Sequence, residues 1–251
     1  MTDRTRLRPL HTICDDRRPV RLGPVAPPVV LVHGWGGSFD TTWESNGFAE
    51  LLRDAGRTVI GVDLLGHGAA PKPHEQEAYA DLTTRVRDVC PIEPVDAIGF
   101  SLGAITLLQF AMREPQRFNR LVLAGIGASI FETDDSRTQR IIAALEGHGD
   151  PDDNLARMFV QYAHHDGNDL LALTAVMKRP RMPMVPETLS TVTCPTLVVI
   201  GDRDFAGPGQ PLADALPDAT LRTLRNVDHF ATPEAFGFID AALAFLDAIP
   251  L

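Results

Sequence analysis

Cysteine is scarce in this chain of 251 residues, with only 3 copies, at positions 14, 90 and 194. An odd number of widely separated thiols, with no CxxC pair and no Cys/His ligand spacing, argues against a disulfide framework or a zinc site. It fits three unpaired thiols in a reducing compartment. Positive charge is also in short supply. Lys+Arg total 23 against 33 Asp+Glu, a net charge of -10, so attraction to a phosphate backbone or an anionic membrane is unfavourable, and neither is expected as a partner. A long apolar run is missing too. The amino terminus, MTDRTRLRPL, is charged and has no apolar core behind it, and the weakly charged stretch from Val95 to Met112 is interrupted by Gly99, Ser101 and Gly103. A membrane span is therefore not expected, and the chain is expected to be cytoplasmic. Internal repeats and low-complexity segments are absent as well.

What the chain does have is 44% hydrophobic residues, enough for a real core. The runs PPVVLVHG, RTVIGVDL, VDAIGFS, RLVLAGIG and CPTLVVIGD are short, β-branched and unbroken. Runs of this kind are what strands covered on both faces of a parallel sheet look like. Helical patterns lie between them, at Trp43 to Ala55, Tyr79 to Val89 and Leu102 to Arg113, with a last one from Pro233 to Ala248. The alternation predicts an α/β fold: a mostly parallel sheet with helices on both faces.

The alternation fails from Ser129 to Leu189, where no strand pattern occurs. Leu155, Met158, Phe159 and Tyr162 form an amphipathic stripe, Ile141, Ile142 and Leu145 mark another turn or two ended by Gly147, and Leu170 to Met177 marks a third helix. About sixty residues is too long for an ordinary loop, which predicts a helical cap at 129–189, inserted before the last two strands, over a core of 1–128 and 190–251. Met158, Met177, Met182 and Met184 in this stretch either line an adaptable apolar pocket or fill space.

The stretch Ile98-Gly99-Phe100-Ser101-Leu102-Gly103-Ala104 carries the chemistry. A strand that ends at Ser101 and a helix that starts at once force a strained turn, in which side chains at Gly99 and Gly103 would collide with neighbouring elements. A serine serving only as a helix N-cap would leave both glycines unexplained. A serine hydroxyl is a poor nucleophile without a base, and the base needs a carboxylate to orient it. GDRD closes one of the last strands, and VDHF follows the last strand-like run, so the order is Ser101, an aspartate, His229.

Taken with His33-Gly34-Trp35-Gly36-Gly37 and Asp63-Leu64-Leu65-Gly66-His67-Gly68, these motifs resemble the α/β-hydrolase fold, in its capped, esterase- and epoxide-hydrolase-like group, from about Pro28 to the end. The resemblance implies Ser101, Asp204 and His229 as a catalytic triad, with Asp202 as the other choice for the acid. It assigns the oxyanion hole to the backbone N-H groups of Trp35 and Leu102. The Trp35 indole either walls the acyl pocket or simply packs, and His33 and His67 brace their loops. The resemblance also makes PPVVLVHG the third strand of the fold, which leaves about 27 residues, short for two strands, and predicts a reduced first edge.

His164-His165-Asp166 reads as a solvated surface, since adjacent histidines on a helix face different ways. Asp150, Asp152 and Asp153 suit a helix N-terminus and lack an EF-hand pattern. Gly34-Trp35-Gly36-Gly37 lacks the ending of a phosphate loop. No cofactor and no metal are implied.

Relatives that open epoxides or remove halides carry aspartate at the elbow, so Ser101 points to acyl chemistry. The first expectation is hydrolysis of a small or medium apolar carboxylic ester. The second is carbon-carbon hydrolysis of ring-cleavage diketones, whose enzymes usually have a glycine-proline pair where HGWGG stands and a Trp where Phe230 stands. The third, from another class, is a ligand receptor on the same scaffold.

Overall fold

The computed structural model describes residues 26–180 and 184–250. The expectations placed on the first sheet edge, Cys14, Met182 and Pro183 lie outside those residues. Among the described residues six strands form one sheet: β1 (Val29–Val32), β2 (Val59–Val62), β3 (Val95–Phe100), β4 (Phe118–Ala124), β5 (Thr196–Gly201) and β6 (Ala219–Leu224). Their order is β2-β1-β3-β4-β5-β6, and every pairing is parallel. This is the architecture predicted from the runs. Residues of β1, β3 and β5 are buried throughout, whereas β2 and β6 are partly exposed, as edge strands of the described sheet.

Alternate residues of each strand feed opposite cores, because side chains on a strand point to the two faces in turn. Val30, Val32, Ala97 and Leu123 pack with α2 (Thr83–Val89) and α3 (Leu102–Arg113) on one face. Val29, Leu31, Ile98 and Val122 pack on the other with α1 (Phe48–Asp54) and α8 (Phe236–Phe245), where Trp43, Phe48 and Phe238 cluster. Three helical patterns are shorter than their periodicity, the last being α8, which a 3-10 turn at Thr232–Glu234 precedes and which ends before Ala248. A π-helical turn at Asp40–Glu44 is separated from α1 by Gly47 at φ 79°, and a 3-10 turn at Gln76–Tyr79 precedes α2.

Between β4 and β5 the chain forms α4 (Ser136–Leu145), α5 (Asn154–Ala163) and α6 (Leu170–Lys178), with α4 packed on both of the others. A short α7 (Gln210–Ala215) joins β5 to β6. No helix among the described residues is long and apolar enough to cross a membrane.

The sheet order turns back at β1, which lies between β2 and β3. In open parallel sheets, the crevice outside the strand ends at such a reversal is where ligands bind. The loops after β1, β3, β5 and β6 carry His33 to Gly37, Ser101, Asp204 and His229, so all these motifs gather at one end of the sheet.

Candidate active site

Ser101 leaves β3 with φ 51° and ψ -111°, a backbone that non-glycine residues rarely adopt. Its N-H still donates to Ala124 O at 2.8 Å, in register with β4, while its carbonyl accepts from Ile105 N-H at 3.0 Å and starts α3. The strand-to-helix change thus takes place within one residue. A Cβ on Gly99 would sit 2.6 Å from Ala104 N, and one on Gly103 would sit 2.4 Å from Val32 O. Both obstacles are backbone, so the two glycines are required. The Ser101 hydroxyl makes no cap bond to α3.

It turns instead to His229. His229 Nε2 lies 2.9 Å from Ser101 Oγ, and Nδ1 lies 2.9 Å from each carboxylate oxygen of Asp204. A carboxylate only accepts, so Nδ1-H donates to Asp204 and Nε2 is left to accept from the serine hydroxyl. His229 is 4% and Asp204 8% exposed. Water therefore competes little for these bonds. Asp204 Oδ1 also accepts from Ala206 N-H at 2.8 Å, which fixes the carboxylate plane. Asp202 is directed elsewhere, accepting from Asn226 N-H at 2.7 Å in a surface turn.

The loop after β1 approaches the serine because Gly34 has no side chain: a Cβ there would meet the Phe100 ring at 2.8 Å and Ser101 Cβ at 3.4 Å. Trp35 and Leu102 border the same cavity as Ser101 and His229. The Trp35 indole does two jobs. It walls this cavity, and it packs on Phe159 with centroids 5.2 Å apart while Nε1-H donates to Leu173 O at 3.1 Å.

His33 and His67 are fully buried beneath these loops, with ring centroids 5.0 Å apart. His33 Nδ1-H donates to Gly34 O at 2.7 Å and Nε2 accepts from Leu64 N-H at 3.1 Å, a pairing that only the neutral ring can make. Burial lowers the pKa of His33 and holds that of His67 well below the ordinary histidine value. Asp63 completes the brace by accepting from Phe39 N-H and Ala69 N-H, each at 2.8 Å.

The cavity over Ser101 has a volume of about 150 Å³. Ile105, Ile126, Ile141, Phe159 and Met177 give it apolar walls, and Glu132 and Arg137 stand at its border. The helices between β4 and β5 thus supply much of the wall. Of the other methionines, Met184 is buried in the core and Met158 is exposed. His164, His165 and Asp166 are exposed at the end of α5, and Asp153 caps that helix by accepting from Ala156 N-H at 3.0 Å. Burial pushes the thiol of Cys90 up to about 11 and also raises that of Cys194, so neither is primed to react.

Sequence reasoning did not find Phe205, whose ring faces His229, nor Arg137 at the cavity, nor Asn168, which ties the insertion to the loop after β1. These residues carry no motif of their own. Only their neighbours in space give them roles.

A family model described as alpha/beta hydrolase fold matches residues 27–144. An uncharacterized protein of Mycobacterium tuberculosis is 38% identical over 141 residues, covering 51% of this chain and 40% of that protein. The chain thus spans well under half the length of the first curated relatives it matches. A 2-hydroxy-6-oxononadienedioate/2-hydroxy-6-oxononatrienedioate hydrolase of Cupriavidus pinatubonensis is 28% identical over 241 residues, covering 83% of this chain and 82% of that one. A pimeloyl-[acyl-carrier protein] methyl ester esterase of Neisseria meningitidis is 34% identical over 111 residues, covering 43% and 40%. Among solved structures, a serine hydrolase involved in carbazole degradation aligns with TM-score 0.64 and 26% identity, over 88% of this chain and 91% of its own. Fold and sequence together define the alpha/beta-hydrolase fold. The chain belongs to the alpha/beta-hydrolase superfamily.

Proposed function

We propose that the protein is a serine hydrolase that works through an acyl-enzyme on Ser101. One observation carries this reading: an unbroken chain of 2.9 Å contacts from the Ser101 hydroxyl through His229 to Asp204, beside a largely apolar cavity. His229 Nε2 takes the hydroxyl proton as Ser101 Oγ bonds to the acyl carbon, and Asp204 stabilises the resulting imidazolium. The backbone N-H groups of Trp35 and Leu102 receive the oxyanion. His229 then gives its proton to the leaving group. In the second half, water attacks the acyl carbon, His229 takes the water's proton, and Ser101 is released carrying that proton. In this reading residues 129–189 act as a cap over the nucleophile, and residues 1–128 and 190–251 form the catalytic core. The free thiols, half-buried at Cys90 and buried at Cys194, are compatible with a reducing, cytoplasmic setting.

A small or medium apolar carboxylic ester is one substrate that suits the cavity walls and needs only these groups. Carbon-carbon hydrolysis of ring-cleavage diketones stands beside it on equal terms, supported by the dienedioate hydrolase matched over 83% of this chain. HGWGG and Phe230 are departures that weigh against it. Nitrophenyl esters of graded acyl length and a dienoate diketone, each offered to wild type and Ser101→Ala, separate the readings. Ester turnover that is lost in the variant supports the first. Diketone turnover without ester turnover supports the second, while intact ligand bound equally by both proteins would replace both with a receptor.

A further inference from the structure

We infer that Asn168, at the corner between α5 and α6, is a positioning residue that aims the Trp35 backbone N-H at the oxyanion. The inference rests on the acyl-enzyme reading above. Asn168 Nδ2 donates to Gly36 O at 2.8 Å and to Tyr162 O at 3.1 Å, so one amide group bridges the loop after β1 and the end of α5. Asn168 is itself fixed, its N-H donating to His165 O at 3.1 Å and its neighbour Asp169 capping α6 through Ala172 N-H at 3.0 Å. A second bond runs the other way across the same seam, from the Trp35 indole N-H to Leu173 O at 3.1 Å. Two consecutive loop residues, Trp35 and Gly36, are therefore both tied to one short stretch of the insertion, Asn168 to Leu173.

The loop needs such ties. Gly36 has φ 73°, open to glycine alone without strain, and a Cβ there would meet Tyr162 Cδ1 at 2.7 Å. With no side chain, Gly36 cannot hold itself in place, and its carbonyl orientation is set by the partner it finds. Asn168 is that partner. The Gly34-Trp35 peptide, whose N-H the acyl-enzyme reading assigns to the oxyanion, is part of the same turn, closed by Gly37 N-H donating to Gly34 O at 3.2 Å. If the Asn168 amide is lost, the turn loses one of its two anchors while the triad is untouched. Because an oxyanion donor acts on the transition state rather than on bound substrate, the effect falls on kcat and leaves KM near its wild-type value.

The test uses Asn168→Ala and the isosteric Asn168→Asp, which keeps the shape and loses both N-H donors; thermal melts of the two guard against a folding defect. Three quantities are read: kcat and KM on a nitrophenyl ester, the rate of Ser101 labelling by a fluorophosphonate, and acrylamide quenching of tryptophan fluorescence. The chain has 2 Trp, and Trp43 is fully buried, so quenching reports on Trp35. The expected result is a fall in kcat of about 10- to 100-fold, KM within about twofold, slower labelling and easier quenching of Trp35 in both variants. Labelling and kcat equal to wild type in folded variants overturn the inference and leave the acyl-enzyme reading standing. A wild type that is labelled but hydrolyses no ester sinks the ester assignment, and the labelling rates still decide the role of Asn168. A folded wild type that is neither labelled nor active sinks both.

Discussion

The Phe205 ring lies 4.2 Å from the His229 imidazole, centroid to centroid, and 38° from parallel. Phe205 directly follows Asp204, so a single loop after β5 both bonds the imidazole at Nδ1 and covers one of its faces. Phe100, with its centroid 5.0 Å from the imidazole, adds a further contact from the elbow. The ring is left little room to rotate away from Ser101, which is the preorganisation that the proposed general-base role of His229 needs.

The acid is the first point to check, because two aspartates stand two positions apart in Gly201-Asp202-Arg203-Asp204. Asp204→Asn leaves the geometry and removes the charge that fixes the tautomer, so kcat is expected to fall by about 10³- to 10⁴-fold. Asp202→Asn affects only a surface turn and is expected to stay within about twofold of wild type. Steady-state kinetics of the two purified variants decides between them.

The elbow makes a stability prediction. In Gly103→Ala the new Cβ would meet the carbonyl of Val32, a backbone atom of β1 that cannot swing aside. Overpacking of this kind costs about 1–3 kcal/mol. For a chain of this size that lowers Tm by about 2–12 °C, readable by a thermal melt.

His33 and His67 make the fold sensitive to acid. Burial depresses both folded-state pKa values, whereas in the unfolded chain each titrates near the ordinary value of about 6.5. Below that pH the unfolded state binds more protons than the folded one, so stability present at neutral pH is lost as pH falls through the 6.5 region. Tm measured from pH 7.5 to 5 is expected to decline, and to decline less in His67→Asn, which removes one of the two groups. An identical slope in wild type and variant would contradict this.

At the far end of β3 from Ser101, Asp96 pairs with Arg57 and accepts from Asn119 Nδ2 at 2.7 Å, while Arg57 also donates to Leu246 O at 2.7 Å. Both side chains of the pair are almost completely buried. Asp96→Ala leaves a buried guanidinium without its counter-charge and is expected to cost about 3–5 kcal/mol by denaturant titration. Folded protein that survives should keep its activity, because the pair lies away from the cavity.

How much of this was legible in the sequence follows from what each residue depends on. The strands β1, β3 and β5 are covered on both faces, so their β-branched runs announce them, whereas β6 reads ATLRTL because it is an edge strand with an open side. The six-residue α7 went unread since QPLADA is too short for a helical period to show. Helix α4 runs ten residues, longer than Ile141, Ile142 and Leu145 suggest, because its first turn, SRTQ, is polar and partly exposed. Ser101, Asp204 and His229 were readable because each sits in a local motif that its own turn requires. Asn168 was not: next to Gly167 it looks like any turn residue, and its partner Gly36 is 132 positions away. Likewise the cavity walls come from helices whose approach to the strand ends is a tertiary fact.

The central claim is that Ser101 is the nucleophile. Mass spectrometry of the folded protein after exposure to a fluorophosphonate, with peptide mapping, tests it directly. The account predicts one adduct, on the peptide carrying IGFSLGA at Ser101, and none in Ser101→Ala. A folded wild-type protein that stays unlabelled, or that carries its adduct on another residue, would contradict it.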